Sequence, residues 1–146
     1  MNITTKGRYA LRVMLDIAQQ DTERYVSVKE IANRQGISAK YLEAIASSLN
    51  KAGLLTSSRG KYGGYRLSKA PQDYTVGSIL KQTEMKIASA PCLKNSGAIC
   101  AKADSCETLP LWQLLDVRID EVLEGVTLED LLQGHLPPAR LARKTF

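Results

Sequence analysis

The chain has 146 residues, 44% of them apolar, with 20 Lys and Arg against 15 Asp and Glu, a net charge of +5 and a pI near 9.2. That length holds one compact domain, or a small domain with an appended helix, and leaves no room for a second enzyme-sized core. No apolar run approaches the roughly eighteen residues that a membrane span needs. Met1 leads into a charged stretch with Lys6, Arg8, Arg12 and Asp16 where a signal peptide would place an apolar core, so a cytoplasmic location is expected.

The first predicted element is a helix opened by Thr4 or Thr5 as N-cap, with Leu11, Met14, Leu15 and Ala18 on its buried face and Arg8, Arg12, Asp16 and Gln19 elsewhere. Ser27-Val28-Lys29-Glu30 matches a capping box, in which serine and glutamate each satisfy the other's free backbone amide, and a short helix should run from there to about Gln35. Gly36 can take the positive φ that ends it, Ile37 plugs the turn, and Ser38 caps a third helix buried through Leu42, Ile45 and Leu49 and ended by Gly53. Two helices joined by a short turn containing glycine form a helix-turn-helix, whose second helix reads the DNA major groove.

Leu54-Leu55-Thr56-Ser57-Ser58 then reads as a strand, Arg59 to Gly64 as a turn, and Tyr65-Arg66-Leu67 as a returning strand. The tip of this hairpin is basic: Arg59, Lys61 and Arg66 carry charge suited to phosphates, and Tyr62 and Tyr65 can pack or stack. Ser38, Lys40, Tyr41 and Glu43 of the recognition helix, with Arg59, Lys61 and Tyr62 of the wing, are the candidate contacts to double-stranded DNA.

Further on, Thr75 can cap a short helix carrying Val76, Ile79 and Leu80. A long helix should begin near Thr108 and Pro110 and run to about Glu124. Its apolar residues, Leu111, Trp112, Leu114, Leu115, Ile119, Val122 and Leu123, cover close to half the helical circumference, more than one side of a lone surface helix requires. The excess suits a helix packed on its own domain and on a partner subunit, although one fully buried helix could use the same pattern. Gly125 ends it, Thr127 caps a last short helix, and Gly134 to Phe146, with Pro137-Pro138, reads as a frayed tail.

Between these helices lie Cys92, Cys100 and Cys106, the only cysteines in the chain, among Lys94, Asn95, Ser96, Gly97, Lys102, Asp104 and Ser105. Structural cysteines are usually scattered through cores; three in one polar segment suggest ligands or redox groups. A disulfide framework would want an even count and a secreted chain, and structural zinc usually shows a Cys-x-x-Cys knuckle that is missing here. An iron-sulfur cluster tolerates looser spacing. Three thiolates with a carboxylate or imidazole binding zinc, and three inert thiols, remain open at this level. A cysteine-dependent oxidoreductase is disfavoured, since no Cys-x-x-Cys, nucleotide-binding glycine motif or histidine lies near the cysteines.

Taken together, Thr5-Lys6-Gly7-Arg8-Tyr9-Ala10, Ile37-Ser38-x-x-Tyr41-Leu42-Glu43, Arg59-Gly60 with Gly63-Gly64-Tyr65, and Thr127-Leu128-Glu129-Asp130-Leu131 resemble the Rrf2 family of bacterial winged-helix regulators, over residues 2 to about 133. The resemblance implies a non-enzymatic homodimeric transcription factor that holds an iron-sulfur cluster, or has lost it, in the loop before its dimerisation helix, with iron-sulfur scaffold proteins as further partners. The three cysteines match the family's cluster ligands, with a longer interval between Cys92 and Cys100. The histidine that cluster-binding members place three residues after the last cysteine is replaced by Leu109, and Arg8 stands where some nitric-oxide-sensing relatives supply an acidic ligand. Glu107, Asp104 or an exogenous group is left as fourth ligand; Glu107, beside Cys106 at a helix start, is the first choice, and helix-start charge is its alternative role. His135, the only histidine, falls in the expected tail.

The expected fold is mainly α with a small β-hairpin wing. It divides into a winged helix-turn-helix domain (1–84), a cysteine-bearing cluster loop (85–108), a dimerisation helix with a short C-terminal helix (109–134) and a flexible tail (135–146). The expected function is transcriptional regulation controlled by a two-iron cluster on Cys92, Cys100, Cys106 and Glu107. The alternative is a cluster-free regulator of the same fold controlled by a protein or small-molecule partner.

Overall fold

The computed structural model describes residues 3–21, 23–83, 87–94 and 100–136. The expected tail from Pro137 onward, and Asn95, Ser96 and Gly97 of the cysteine segment, lie outside the described residues.

Helix α1 (Thr5–Ala18) opens on the Thr4 hydroxyl, which accepts from the Gly7 amide at 3.2 Å. Helix α2 (Val28–Gln35) begins with the expected capping box, Glu30 N to Ser27 Oγ and Ser27 N to Glu30 Oε2, and ends at Gly36 with φ 64°. Helix α3 (Ala39–Lys51) is capped by Ser38, whose hydroxyl accepts from the Tyr41 amide at 3.2 Å. Caps of this kind stabilise a helix by about 1 kcal/mol each and set where it starts, which here aims α3 relative to α2. Strands β1 (Leu55–Ser58) and β2 (Gly64–Leu67) pair antiparallel with Ser58 opposite Gly64, so the turn spans Arg59 to Gly63.

Helix α4 (Val76–Leu80) follows, then α5 (Pro91–Lys94), the long α6 (Leu109–Gly125) and α7 (Leu128–Gln133). The chain after α6 returns to the winged domain. Val76 donates to the Val126 carbonyl at 2.8 Å, Leu128 donates to the Tyr74 carbonyl at 2.9 Å, and the Leu128 side chain is fully buried in the main core. Tyr74, 1% exposed, sits at this junction; its hydroxyl donates to the Leu54 carbonyl and accepts from the Lys69 amide.

The core places Ala10, Val13, Met14 and Ile17 of α1 against Ile31 of α2 and Leu42, Ile45, Ala46 and Leu49 of α3. Of the residues expected on the buried face of α1, Met14 is fully buried and Leu11, Leu15 and Ala18 pack against the core half-buried, while Ala10, Val13 and Ile17 lie deeper. Helix α1 is packed by α2, α3, α4, α7 and β2 together, so it is covered on more than one side and a single stripe does not describe it. Asp16, expected on the polar side, is 2% exposed.

Candidate nucleic-acid interface and cysteine segment

Burial of Leu42, Ile45, Ala46 and Leu49 leaves Ser38, Lys40, Tyr41, Glu43 and Ala44 on the open side of α3, where the helical period requires them to be. Tyr41 is braced edge-on by Tyr9 of α1, with ring centroids 5.8 Å apart, and Arg12 lies over the Tyr9 ring. The turn between α2 and α3 is tied to α1 by charge. Arg34 donates to both oxygens of Asp16, as close as 2.6 Å, Gln35 Nε2 adds a bond at 2.8 Å, and Arg12 donates to the Gln35 side chain and carbonyl. Pairing with Asp16 holds the Arg34 guanidinium above its ordinary pKa.

The wing is held against the domain by a bridge between Val26 and Tyr65, whose amides and carbonyls exchange two bonds of 2.8 Å. This approach requires glycine next door: Gly64 has φ 151°, and a Cβ there would stand 2.2 Å from the Val26 carbonyl oxygen. Beyond it Arg59, Lys61 and Tyr62 are exposed, Tyr62 by 83%, and the Lys61 ammonium lies 5.6 Å from the Tyr62 ring centroid. Arg66 does not join them. Its side chain stacks on Tyr25 at 4.8 Å and pairs with Glu23, because alternation along β2 carries it away from the tip. Tyr65 extends toward the recognition helix, and its hydroxyl donates to Glu43 Oε1 at 3.2 Å. Between α3 and the wing lies a groove of about 390 Å³ lined by Ser27, Glu43, Ser58, Arg59 and Tyr65 among others. A helix with an open polar face beside a basic hairpin is thus presented on one side of the molecule.

Cys92 is exposed on α5, Cys100 is exposed where the described chain resumes, and Cys106 is half-buried just before α6. The Thr108 hydroxyl, 3.4 Å from Cys106 Sγ, is the main cause that lowers the Cys106 thiol pKa, and the amides of Thr108 and Leu109 add to it. Glu107 is exposed beside it. Among the described residues, no group of three or more His, Cys, Asp and Glu side chains is gathered as a metal site. The segment is moored to α6 through Ser89, whose amide donates to Asp116 at 2.6 Å and whose hydroxyl donates to the Trp112 carbonyl at 2.9 Å.

Helix α6 buries none of its residues, and Leu111, Leu114, Leu115, Val117 and Val122 are 41% to 58% exposed. Among the described residues none buries this apolar face, contrary to a fully intramolecular reading of its pattern. Its last turn is fixed to α4, where Glu124 accepts from Thr75 and Lys81. These fastenings and the Tyr74 junction carry no local sequence signal, whereas for Asp16 a signal of burial was present, a carboxylate one residue before the buried Ile17 and flanked by Leu15.

A helix-turn-helix followed by a two-stranded wing with a cationic tip defines a winged helix-turn-helix DNA-binding protein. The profile of the Rrf2 family, "Iron-dependent Transcriptional regulator", matches residues 3–134. The chain is 40% identical over 132 residues to the HTH-type transcriptional regulator IscR of Aliivibrio salmonicida (strain LFI1238), covering 90% of this chain and 77% of that protein. It is 39% identical to the IscR of Pectobacterium carotovorum subsp. carotovorum (strain PC1), covering 92% and 80%. Among solved structures it matches CymR, the global cysteine regulator of B. subtilis, with TM-score 0.77 and 35% identity over 92% of this chain and 98% of that one. It matches T. potens IscR with TM-score 0.74 and 37% identity over 92% and 88%. The chain belongs to the Rrf2 family of winged helix-turn-helix transcriptional regulators and is IscR-like.

Proposed function

We propose that this regulator acts as a homodimer whose operator binding is governed by an iron-sulfur cluster, of the two-iron kind, held by Cys92, Cys100 and Cys106 with Glu107 as fourth ligand. The observation that carries this reading is the confinement of all three thiols to the segment between the winged domain and α6, whose apolar ridge is left exposed. The donor set fits such a group: thiolates are its usual ligands, and Cys106 is already biased toward the thiolate by its neighbours. When bound, the cluster would supply an iron- and redox-responsive tie across this polar segment, which has little apolar surface with which to order itself.

The chain's own residues do the rest. The ridge of α6 pairs with its copy in the partner, and a dimer so formed would present two recognition helices to half-sites about 34 Å apart. Ser38, Lys40, Tyr41 and Glu43 meet the major groove, while Arg59, Lys61 and Tyr62 meet phosphates or the minor groove. Residues 1–84 bind DNA, 85–108 sense and 109–134 dimerise.

A cluster-free regulator controlled by a protein or small-molecule partner is the second reading. Leu109 at the place of the expected histidine favours it. The test is anaerobic purification from iron-replete cells, with optical and EPR spectra and iron and sulfide counts. The cluster reading expects visible absorption and bound sulfide, both lost in Cys92→Ala, Cys100→Ala or Cys106→Ala, with DNA binding altered and the fold kept; Glu107→Ala should shift the spectrum. Stoichiometric zinc without sulfide would overturn it, and metal-free thiols with undiminished operator binding would establish the second reading.

A further inference from the structure

The exposed face of α3 carries Glu43, an anion on a surface meant to approach phosphates. Among the described residues no cation is paired with it. Its partner is the Tyr65 hydroxyl, 3.2 Å from Oε1, which reaches across from the wing. A free glutamate has three side-chain torsions and would swing away from an approaching phosphate backbone. One tethered at Oε1 keeps its other oxygen, Oε2, available to a donor on DNA, and the cytosine N4 amino group is the major-groove donor that a carboxylate accepts from.

Tyr65 is well placed to act as a fixed tether. Its backbone is locked to Val26 by the two bonds of 2.8 Å, and the residue packs, partly buried, against the main core. Burial first, and then the Glu43 charge, push the phenol pKa upward, so the hydroxyl stays a donor at neutral pH. The neighbouring wing residues differ: Arg59, Lys61 and Tyr62 stand in solvent and can follow a phosphate backbone wherever it lies.

We propose that Tyr65 is a specificity-positioning residue, the wing holding the Glu43 carboxylate at the angle from which it accepts from a base donor and rejects DNA that offers none. This rests on the reading that α3 enters the major groove with Glu43 at base edges. It makes the wing part of sequence readout as well as of backbone contact, without Tyr65 itself touching a base.

The test uses full-length protein and duplexes selected by the wild type from a randomised library, compared with the unselected library. Wild type, Glu43→Ala, Tyr65→Phe and the double variant are measured for affinity to both pools, and each is also used to select its own sequences. Tyr65→Phe keeps the ring and its packing, which a melting curve checks. The expected result is a loss of discrimination of about three- to tenfold, the order of one hydrogen bond, falling on the same base pair that Glu43→Ala relaxes. Loss of discrimination should exceed loss of affinity for the unselected pool, and the double variant should behave as Glu43→Ala alone. Equal losses on both pools, or losses that add in the double variant, would overturn the positioning role. If Glu43→Ala itself leaves the selected sequence unchanged, the placement of α3 on DNA fails first and the role of Tyr65 falls with it.

Discussion

Lys81, just past α4, and Glu124, in the last turn of α6, form an ion pair at 2.5 Å, and the second carboxylate oxygen accepts from Thr75 Oγ1 at 2.7 Å. This contact joins the long helix to the winged domain at the point where the chain turns back into α7. Both side chains are well exposed, so the contribution to stability is small, about 0.5–1 kcal/mol for Glu124→Ala. The local effect should be larger. Hydrogen exchange in the last two turns of α6 is expected to rise in Glu124→Ala and less in Glu124→Gln, which keeps an acceptor for Thr75.

Asp16 and Arg34 hold the helix-turn-helix to α1, and they are not equivalent. The carboxylate is 2% exposed and the guanidinium side chain 36%. Removing Arg34 strands a buried charge with Gln35 as its remaining donor, whereas removing Asp16 leaves an arginine that can turn into water. Arg34→Ala should therefore cost about 3 kcal/mol and Asp16→Ala about 2 kcal/mol. Urea midpoints of the two variants check the order, and the reverse order would show that burial of the carboxylate is not the governing cost.

Acid should weaken the fold in a defined window. Bonds from Ser27, backbone first and then side chain, lower the Glu30 pKa, with Arg24 adding less. Lys81 and then Thr75 lower that of Glu124, and the hydroxyl and amide of Thr127 lower that of Asp130. A folded value below the unfolded one means stability that is complete above the ordinary carboxylate range, roughly pH 4 to 4.5, and lost as pH falls through the folded values. Lys81, raised chiefly by Glu124, has the opposite sign and loses its contribution only as pH rises through its folded value in the alkaline range. Chemical denaturation at pH 6, 4 and 3 and constant ionic strength should show midpoints falling toward acid, with a shallower fall in Glu124→Gln.

The wing tip should report on salt. Arg59 and Lys61 are exposed on either side of Gly60, whose φ of 102° turns the chain tightly enough to bring both to the tip. If each meets a phosphate, the double alanine variant loses about two units from the slope of log affinity against log salt, with little change in sequence preference. Arg66→Ala should leave that slope unchanged, since its guanidinium is spent on Tyr25 and Glu23.

Local chemistry made several parts of this protein legible in advance. The caps at Thr4, Ser27, Ser38, Thr75 and Thr127, the left-handed Gly36, the hairpin and the span of α6 all depend on a few neighbouring residues, and each was found where its motif lies. The open face of α3 followed from helical period alone. Contacts between residues far apart in the chain were not legible, because no local pattern encodes them. Asp16 looked like a surface charge until α2 delivered Arg34 and Gln35 beside it. Arg66 looked like a wing-tip cation until Tyr25 was folded beneath it, and Tyr65 met Glu43 only because the Val26 bridge fixes how the wing leans. Sequence by itself determined the elements, their order, the residue types offered to DNA and the gathering of the three cysteines in one segment. Tertiary structure decided which charges are buried, which are free to meet a partner, and which apolar face α6 leaves open, because burial and pairing are properties of packed surfaces and not of the segments that compose them.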